Sequence, residues 1–278
     1  MSSIFKNRLN NLYNNIAKHD LDGLYITNLT NIRYLTGFTG SAAILIVLKE
    51  SSYFFTDGRY IQQSKEQVNN ANVTIISTSY FDSINRCNIF NEKSRIGFES
   101  DHMSYSYYDS MINQFPNIDW ISTNSIIENL AAVKDSEEIS SLQTAIDITD
   151  DVFKKIIPEI KVGVTEKYIS TRISYLFKMN GADGDSYESI IAGGPRSALP
   201  HARPTERKFQ KGDFIVMDFG ALYNGYHADM TRTLVVGKPS TKHTEIYNIV
   251  LESHLNGIKT ARSDIPCSQV DNACRSII

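Results

Sequence analysis

The sequence predicts an α/β protein of two domains, and three observations carry that expectation. The chain has 278 residues, beyond the usual size of a single domain. Its first part alternates strand-like and helix-like stretches, the order that builds a sheet wrapped by helices. Its second part holds a hairpin pattern from Asp213 to Thr233, with an aspartate on each arm where strands favour Val or Ile.

In the first part, Ile4, Phe5, Leu9, Leu12 and Ile16 recur at helical spacing and predict an amphipathic opening helix. Strands are expected over 23–27, 41–49 and 52–56, the middle one a continuous apolar run suited to a sheet covered on both faces. A helix over 59–68 leads to a strand over 73–77. Strands over 95–99 and 119–122 flank a helix over 105–115. These elements make a mixed-sheet domain spanning residues 1–125.

The second domain, 126–278, opens on a helical pattern over 126–160, with Lys134 to Glu138 as a charged, solvated stretch and Pro158 as its end. Thr165 caps a helix running to Met179, which Asn180-Gly181 closes. A strand over 187–192 precedes a loop carrying Leu199-Pro200-His201-Ala202, and the hairpin follows. A helix over 244–260 and a helical stretch from Ser268 finish the sequence. No stop signal follows that last stretch, so the chain reads as cut within its second domain.

Composition narrows the function classes. Hydrophobic residues make up 41% and charged residues 21%, ordinary for a globular protein. The net charge is −3 and no basic block occurs, which argues against a nucleic-acid partner. The longest apolar run, Ala42 to Leu48, is too short to span a bilayer, and the polar N-terminus lacks the apolar core of a signal peptide. Cys87, Cys267 and Cys274 are odd in number and form no Cys-x-x-Cys pair, as expected for reduced thiols in the cytoplasm. Cys267 and Cys274 are expected to be buried small hydrophobes.

The hairpin carries the chemistry. Asn224-Gly225 is a strong two-residue turn signal. Such a turn pairs Tyr223 with Tyr226, and counting back pairs Asp218 with Thr231. Asp229 then shares a face with Asp218 as a diagonal neighbour, roughly 7–8 Å away at the backbone. Two carboxylates aimed at one spot repel unless something positive lies between them, so a divalent metal is expected. Oxygen and imidazole ligands suit Mn²⁺, Co²⁺, Fe²⁺ or Zn²⁺. His201, fixed between Pro200 and Pro204, is a candidate for binding a substrate carbonyl or shuttling a proton. His227 shares the face of Asp229, where it either approaches substrate or supports the ligands. Arg232 points the other way, as a structural ion-pair former.

Several stretches resemble the creatinase, prolidase and aminopeptidase P family. They are Ser186-Tyr187-Glu188-Ser189-Ile190-Ile191-Ala192-Gly193, Leu199-Pro200-His201-Ala202, Lys211-Gly212-Asp213, Met217-Asp218-Phe219-Gly220 and Gly225-Tyr226-His227-Ala228-Asp229-Met230-Thr231-Arg232-Thr233. Asn31 to Ser41 and Thr56 to Tyr60 resemble the extra N-terminal domain of its members that cleave Xaa-Pro bonds. The resemblance implies a creatinase-like domain followed by a pita-bread catalytic domain. It also implies two divalent metal ions, manganese or cobalt and otherwise zinc, held by two Asp, one His and two Glu. Asp218 and Asp229 match the two Asp ligands, Asp229 the bridging one, and His201 matches the His that binds substrate and relays protons. The implied reaction is hydrolysis of the bond before proline by a metal-activated hydroxide, in a cytoplasmic homodimer acting on proline-containing peptides.

The family's remaining His and both Glu ligands have no counterpart. His243, His254, Glu245 and Glu252 belong to the helix after the hairpin and lack the family's neighbouring residues. The chain is therefore expected to leave the two-metal centre incomplete and to be inactive as it stands. The alternatives are a creatinase-like amidinohydrolase and a non-catalytic binding fragment.

Overall fold

Capping and alternation, rather than length of apolar runs, set the elements of this chain. The computed structural model describes residues 2–49 and 51–278. They fall into two compact units, divided between Lys134 and Asp135.

The first unit runs α1 (Ser2–Lys18), β1 (Gly23–Ile26), α2 (Leu29–Thr36), β2 (Ile44–Leu48), β3 (Ser52–Thr56), α3 (Ile61–Gln67), β4 (Asn72–Ile75), α4 (Tyr80–Cys87), β5 (Arg95–Glu99), α5 (Tyr105–Gln114), β6 (Asp119–Thr123) and α6 (Ile126–Ala131). Six strands form one mixed sheet in the order β4-β3-β2-β1-β5-β6. β2 is antiparallel to both neighbours, whereas β1, β5 and β6 run parallel. Strand residues divide by parity. Leu24, Ile26, Leu45, Val47 and Phe54 pack under α1, α2 and α6, while Tyr25, Ile44, Ile46 and Phe55 pack with α4 and α5. Both faces are covered, which is why these strands are apolar throughout.

Two short helices escape the sequence reading. Each is set by a side-chain cap: Asn28 accepts from Thr30 N before α2, and Ser79 accepts from Asp82 N before α4. The unit boundary also falls later than residue 125, because α6 buries Ile126 and Ile127 in the first core.

The second unit contains α7 (Ser136–Ile156), α8 (Glu166–Met179), β7 (Gly184–Asp185), β8 (Ile190–Gly193), β9 (Phe214–Phe219), β10 (Ala221–Tyr223), β11 (Tyr226–His227), β12 (Met230–Val235), α9 (Thr241–Thr260) and α10 (Cys267–Arg275). The expected single helix over 126–160 is in fact two. Asp135 accepts from Glu137 N and Glu138 N while Glu138 returns a bond to Asp135 N, a capping box that starts α7 afresh. Glu138 is therefore buried rather than solvated. β12-β9-β8 and β11-β10-β7 make two three-stranded sheets. α7 and α8 cover one face of β9 through Ile148, Val152, Ile173 and Phe177 against Ile215, Met217 and Phe219.

α9 and α10 pack on each other. Asn256 donates to Ala273 O at 2.8 Å and Ser253 to Cys274 O at 3.0 Å. Gly257 makes the approach possible, since a Cβ there would lie 2.6 Å from Cys274 Sγ. Cys274 is half-buried against α9 and Cys267 exposed, contrary to the expectation of two buried thiols. Ile246, Val250, Leu255 and Ile258 of α9 are exposed. No helix among the described residues is long and apolar enough to cross a membrane.

Candidate metal and active site

β9 alternates. Ile215, Met217 and Phe219 enter the core, which leaves Val216 and Asp218 on the opposite face. Antiparallel pairing sets Thr231 opposite Asp218 from one side and Ile190 opposite it from the other. The hairpin register is continuous: Phe219 faces Met230, Leu222 faces His227 and Tyr223 faces Tyr226. Asn224 and Gly225 adopt φ values of 49° and 78°, the paired left-handed conformations of the two-residue turn. Between the two ladders sits Gly220, where a Cβ would lie 1.8 Å from the Ala228 carbonyl oxygen. Only glycine lets the two arms approach so closely beside the carboxylates.

A bulge supplies the third group. Asp185 pairs with Ala221 and Ile190 with Asp218, so residues 186–189 lie opposite Phe219 and Gly220 alone. Ser186 N donates to Gly220 O at 2.8 Å and Ser186 Oγ to Ala221 O at 3.1 Å. The surplus backbone bows out and re-aims Tyr187. Position 187 was expected in a strand, which starts instead at Ile190. The Tyr187 hydroxyl lies 2.5 Å from Asp218 Oδ1 and 2.8 Å from Asp229 Oδ1. One phenolic proton thus serves two carboxylates. Burial raises the Tyr187 pKa well above the ordinary phenol value, and both acceptors reinforce it because each stabilises the protonated form.

Asp218 is half-buried and Asp229 exposed. His227 is exposed, and its Nδ1 lies 3.1 Å from the Ser186 carbonyl oxygen, so its Nδ1–H tautomer donates to the bulge. Arg232 turns to the other face, 3.9 Å from Asp150 and over the Phe153 ring, both on α7.

His201 is exposed on the loop between β8 and β9. Its neighbour Ala202 is buried against Ile190 and Ala192, the face of β8 that continues the Asp218 face. The loop therefore lies over the carboxylates' side of the sheet, although no hydrogen bond joins His201 to either aspartate among the described residues. Glu166, fully buried in the first turn of α8, organises that loop. It accepts from Gly193 N at 2.9 Å, Thr205 N at 3.0 Å, Thr205 Oγ1 at 2.8 Å and Arg196 Nε at 3.1 Å. Nothing in the sequence singles out Glu166 beside its helix cap Thr165.

Asp218 and Asp229 offer hard oxygen donors converging on one point, a set that fits a divalent cation. Among the described residues no group of three or more His, Cys, Asp or Glu side chains converges. His243 instead caps α9, accepting from Ser240 N at 3.2 Å with its ring 4.5 Å from Phe214. His254, Glu245 and Glu252 are exposed on α9. A cavity of about 350 Å³ in the first unit, lined by Thr27, Ser41, Tyr80, His102 and Tyr107 among others, contains no carboxylate.

A carboxylate pair on a hairpin, a loop histidine over the same side of the sheet and a mixed-sheet domain preceding them in the chain are the arrangement to set beside known proteins. The chain belongs to metallopeptidase family M24, whose model matches residues 140–278, and residues 8–133 match the creatinase/prolidase N-terminal domain. It is 32% identical to an Xaa-Pro dipeptidase of Pyrococcus furiosus over 98% of this chain and 77% of that protein. An Xaa-Pro dipeptidase from Bacillus anthracis superposes with a TM-score of 0.92 at 33% identity, covering 99% of this chain and 77% of that one. An X-Pro aminopeptidase from Thermotoga maritima superposes with a TM-score of 0.87 at 30% identity, covering 93% and 75%. The expected fold, a creatinase-like domain followed by the family's catalytic domain, is the one observed.

Proposed function

We propose that this chain acts on the peptide bond preceding proline, using a divalent cation held by Asp218 and Asp229. The observation that carries the reading is the convergence of both carboxylates on one oxygen, 2.5 Å and 2.8 Å away, on the face over which the His201 loop packs. Relatives named as Xaa-Pro dipeptidases and an X-Pro aminopeptidase support proline-containing peptides as substrates. A divalent cation here supplies Lewis acidity and an activated water, with manganese or cobalt favoured by resemblance.

The chain's own residues do the rest. His201 donates to the scissile carbonyl and moves a proton toward the leaving nitrogen. Glu166 and Arg196 keep the loop carrying it in place, and His227 braces the bulge behind the carboxylates. Free thiols are the observation behind a proposed cytoplasmic setting, and a homodimer is proposed only for the full-length protein, from the family resemblance.

The test compares hydrolysis of Ala-Pro, Ala-Ala and creatine with Mn²⁺ supplied, for the wild type, Asp218→Asn and Asp229→Asn. Cleavage confined to Ala-Pro and lost in both variants is the expected result. Cleavage of creatine would make the chain an amidinohydrolase. Absence of every cleavage, with no Mn²⁺-dependent binding of Ala-Pro, would make it a non-catalytic member of the family.

A further inference from the structure

The proposed chemistry leaves one group at the site without a role, the hydroxyl of Tyr187. Among the described residues it is the one donor shared by Asp218 Oδ1 and Asp229 Oδ1. A hydroxyl donor and a divalent cation draw on the same Oδ1 lone pairs, so occupation by one weakens the other. We propose that Tyr187 is a built-in competitor for the cation: it keeps the two carboxylates together in the cation-free chain and must release them for metal to bind. This rests on the reading of Asp218 and Asp229 as metal ligands.

Three features of the fold support a side chain that holds and then withdraws. The bulge is held on both sides of Tyr187, by the backbone bond from Ser186 N to Gly220 O at 2.8 Å and by the side-chain contact between Ser189 Oγ and Ser170 Oγ at 2.9 Å. Tyr187 therefore presents its hydroxyl from a fixed base, and rotation about its own side-chain bonds is enough to withdraw it. The residue is half-buried, so its ring has an open side toward which to turn. Asp229 is exposed, so a cation reaches the pair from solvent without any rearrangement of the hairpin. Stabilisation that exists only in the cation-free state weakens cation binding by the same amount, as linkage requires. Removing the hydroxyl should therefore tighten binding, the reverse of what loss of a ligand does.

The experiment is a Mn²⁺ titration of the intact chain, followed by the electron paramagnetic resonance signal of free Mn²⁺, for the wild type, Tyr187→Phe and Asp218→Asn. Tyr187→Phe should bind about tenfold more tightly, the equivalent of one hydrogen bond to a charged acceptor. Asp218→Asn should bind more weakly than the wild type. Unchanged or weaker binding by Tyr187→Phe would overturn the competition and leave the aspartates as ligands. A wild type indistinguishable from Asp218→Asn would overturn the metal site itself, and the inference with it. Tyr187→Leu, which also lacks the hydroxyl, gives the same reading if the Phe variant folds poorly. Independently, Mn²⁺ should perturb the near-ultraviolet tyrosine spectrum of the wild type but not of Tyr187→Phe, and no perturbation in the wild type would count against release.

Discussion

Two carboxylate clusters in the second unit differ in how many donors the fold gives them. Glu166 is fully buried and accepts from two backbone N–H groups, a threonine hydroxyl and the Arg196 guanidinium. Asp218 and Asp229 share one phenolic hydroxyl between them. The first cluster is saturated from within the chain and has nothing left to offer a ligand. The second has more acceptors than donors among the described residues, which leaves it room for solvent or a bound cation. Burial alone would rank Glu166 as the more unusual residue; donor balance is what supports the proposal that the aspartates bind a ligand.

The comparison can be broken most decisively at Glu166. Glu166→Ala removes the buried acceptor of two backbone N–H groups, the Thr205 hydroxyl and Arg196 Nε, and losing the buried partner of an ion pair costs about 3–5 kcal/mol. Denaturant unfolding of the variant should show that loss, with β8 and the His201 loop less protected against hydrogen exchange. A loss below about 1 kcal/mol would mean that solvent accepts from these donors in place of the carboxylate and that the cluster is not saturated in the sense argued here.

A smaller effect is expected at Asp213, which stands between the two cases. Burial works to raise its pKa, but Arg207 at 2.7 Å and Gln210 N–H at 2.8 Å together hold the carboxyl below its ordinary value of 3.8. A folded-state pKa below the unfolded one means stability that is present above the unfolded value and lost as pH falls through the folded value. Melting temperature should therefore decline as pH drops below 3.8, and Asp213→Asn should flatten that part of the profile. Glu99 in the first unit works in the opposite sense. Burial raises its pKa despite donors from Thr27, Asn28 and Asn31, so its contribution is present at low pH and fades as pH rises through the raised value. Parallel acid profiles for the wild type and Asp213→Asn would show that the Arg207 pair is solvated and adds nothing.

How much of this was legible beforehand depends on whether the signal is local. The hairpin register followed from a two-residue turn, because Asn224-Gly225 leaves one way to count back to Asp218 and Thr231. The face shared by Asp218 and Asp229 followed from the same count. The start of α7 was also written locally, in Asp135 and Glu138, but the charged stretch around them read as solvated surface and hid the capping box. Tyr187 was not legible as a partner of the aspartates. Its aim depends on the surplus of residues 186–189 over Phe219 and Gly220, a mismatch between strands distant in sequence. Glu166 was illegible for the same reason, since its partners Gly193, Arg196 and Thr205 lie on a loop well beyond its helix. What sequence misses here is the long-range pairing that turns an ordinary residue into a support.

The finest test of the comparison is at Asp218, where the expected change is small and has the unusual sign. Most substitutions of a hydrogen-bonded, half-buried group destabilise. Asp218→Asn should not, because in the cation-free chain it removes a like-charge repulsion against Asp229 and brings an amide donor to a site short of donors. The Tyr187 hydroxyl keeps an acceptor in the amide oxygen, so no buried group is orphaned. A gain of up to about 1 kcal/mol in denaturant unfolding follows, of the size of one net hydrogen bond. Adding Mn²⁺ should reverse the order, since only the wild type retains both carboxylates to bind it and a ligand that binds the native state alone stabilises it. A loss of stability in Asp218→Asn without metal would mean that the carboxylate pair is already balanced within the chain, as Glu166 is, and the distinction between the two clusters would fall.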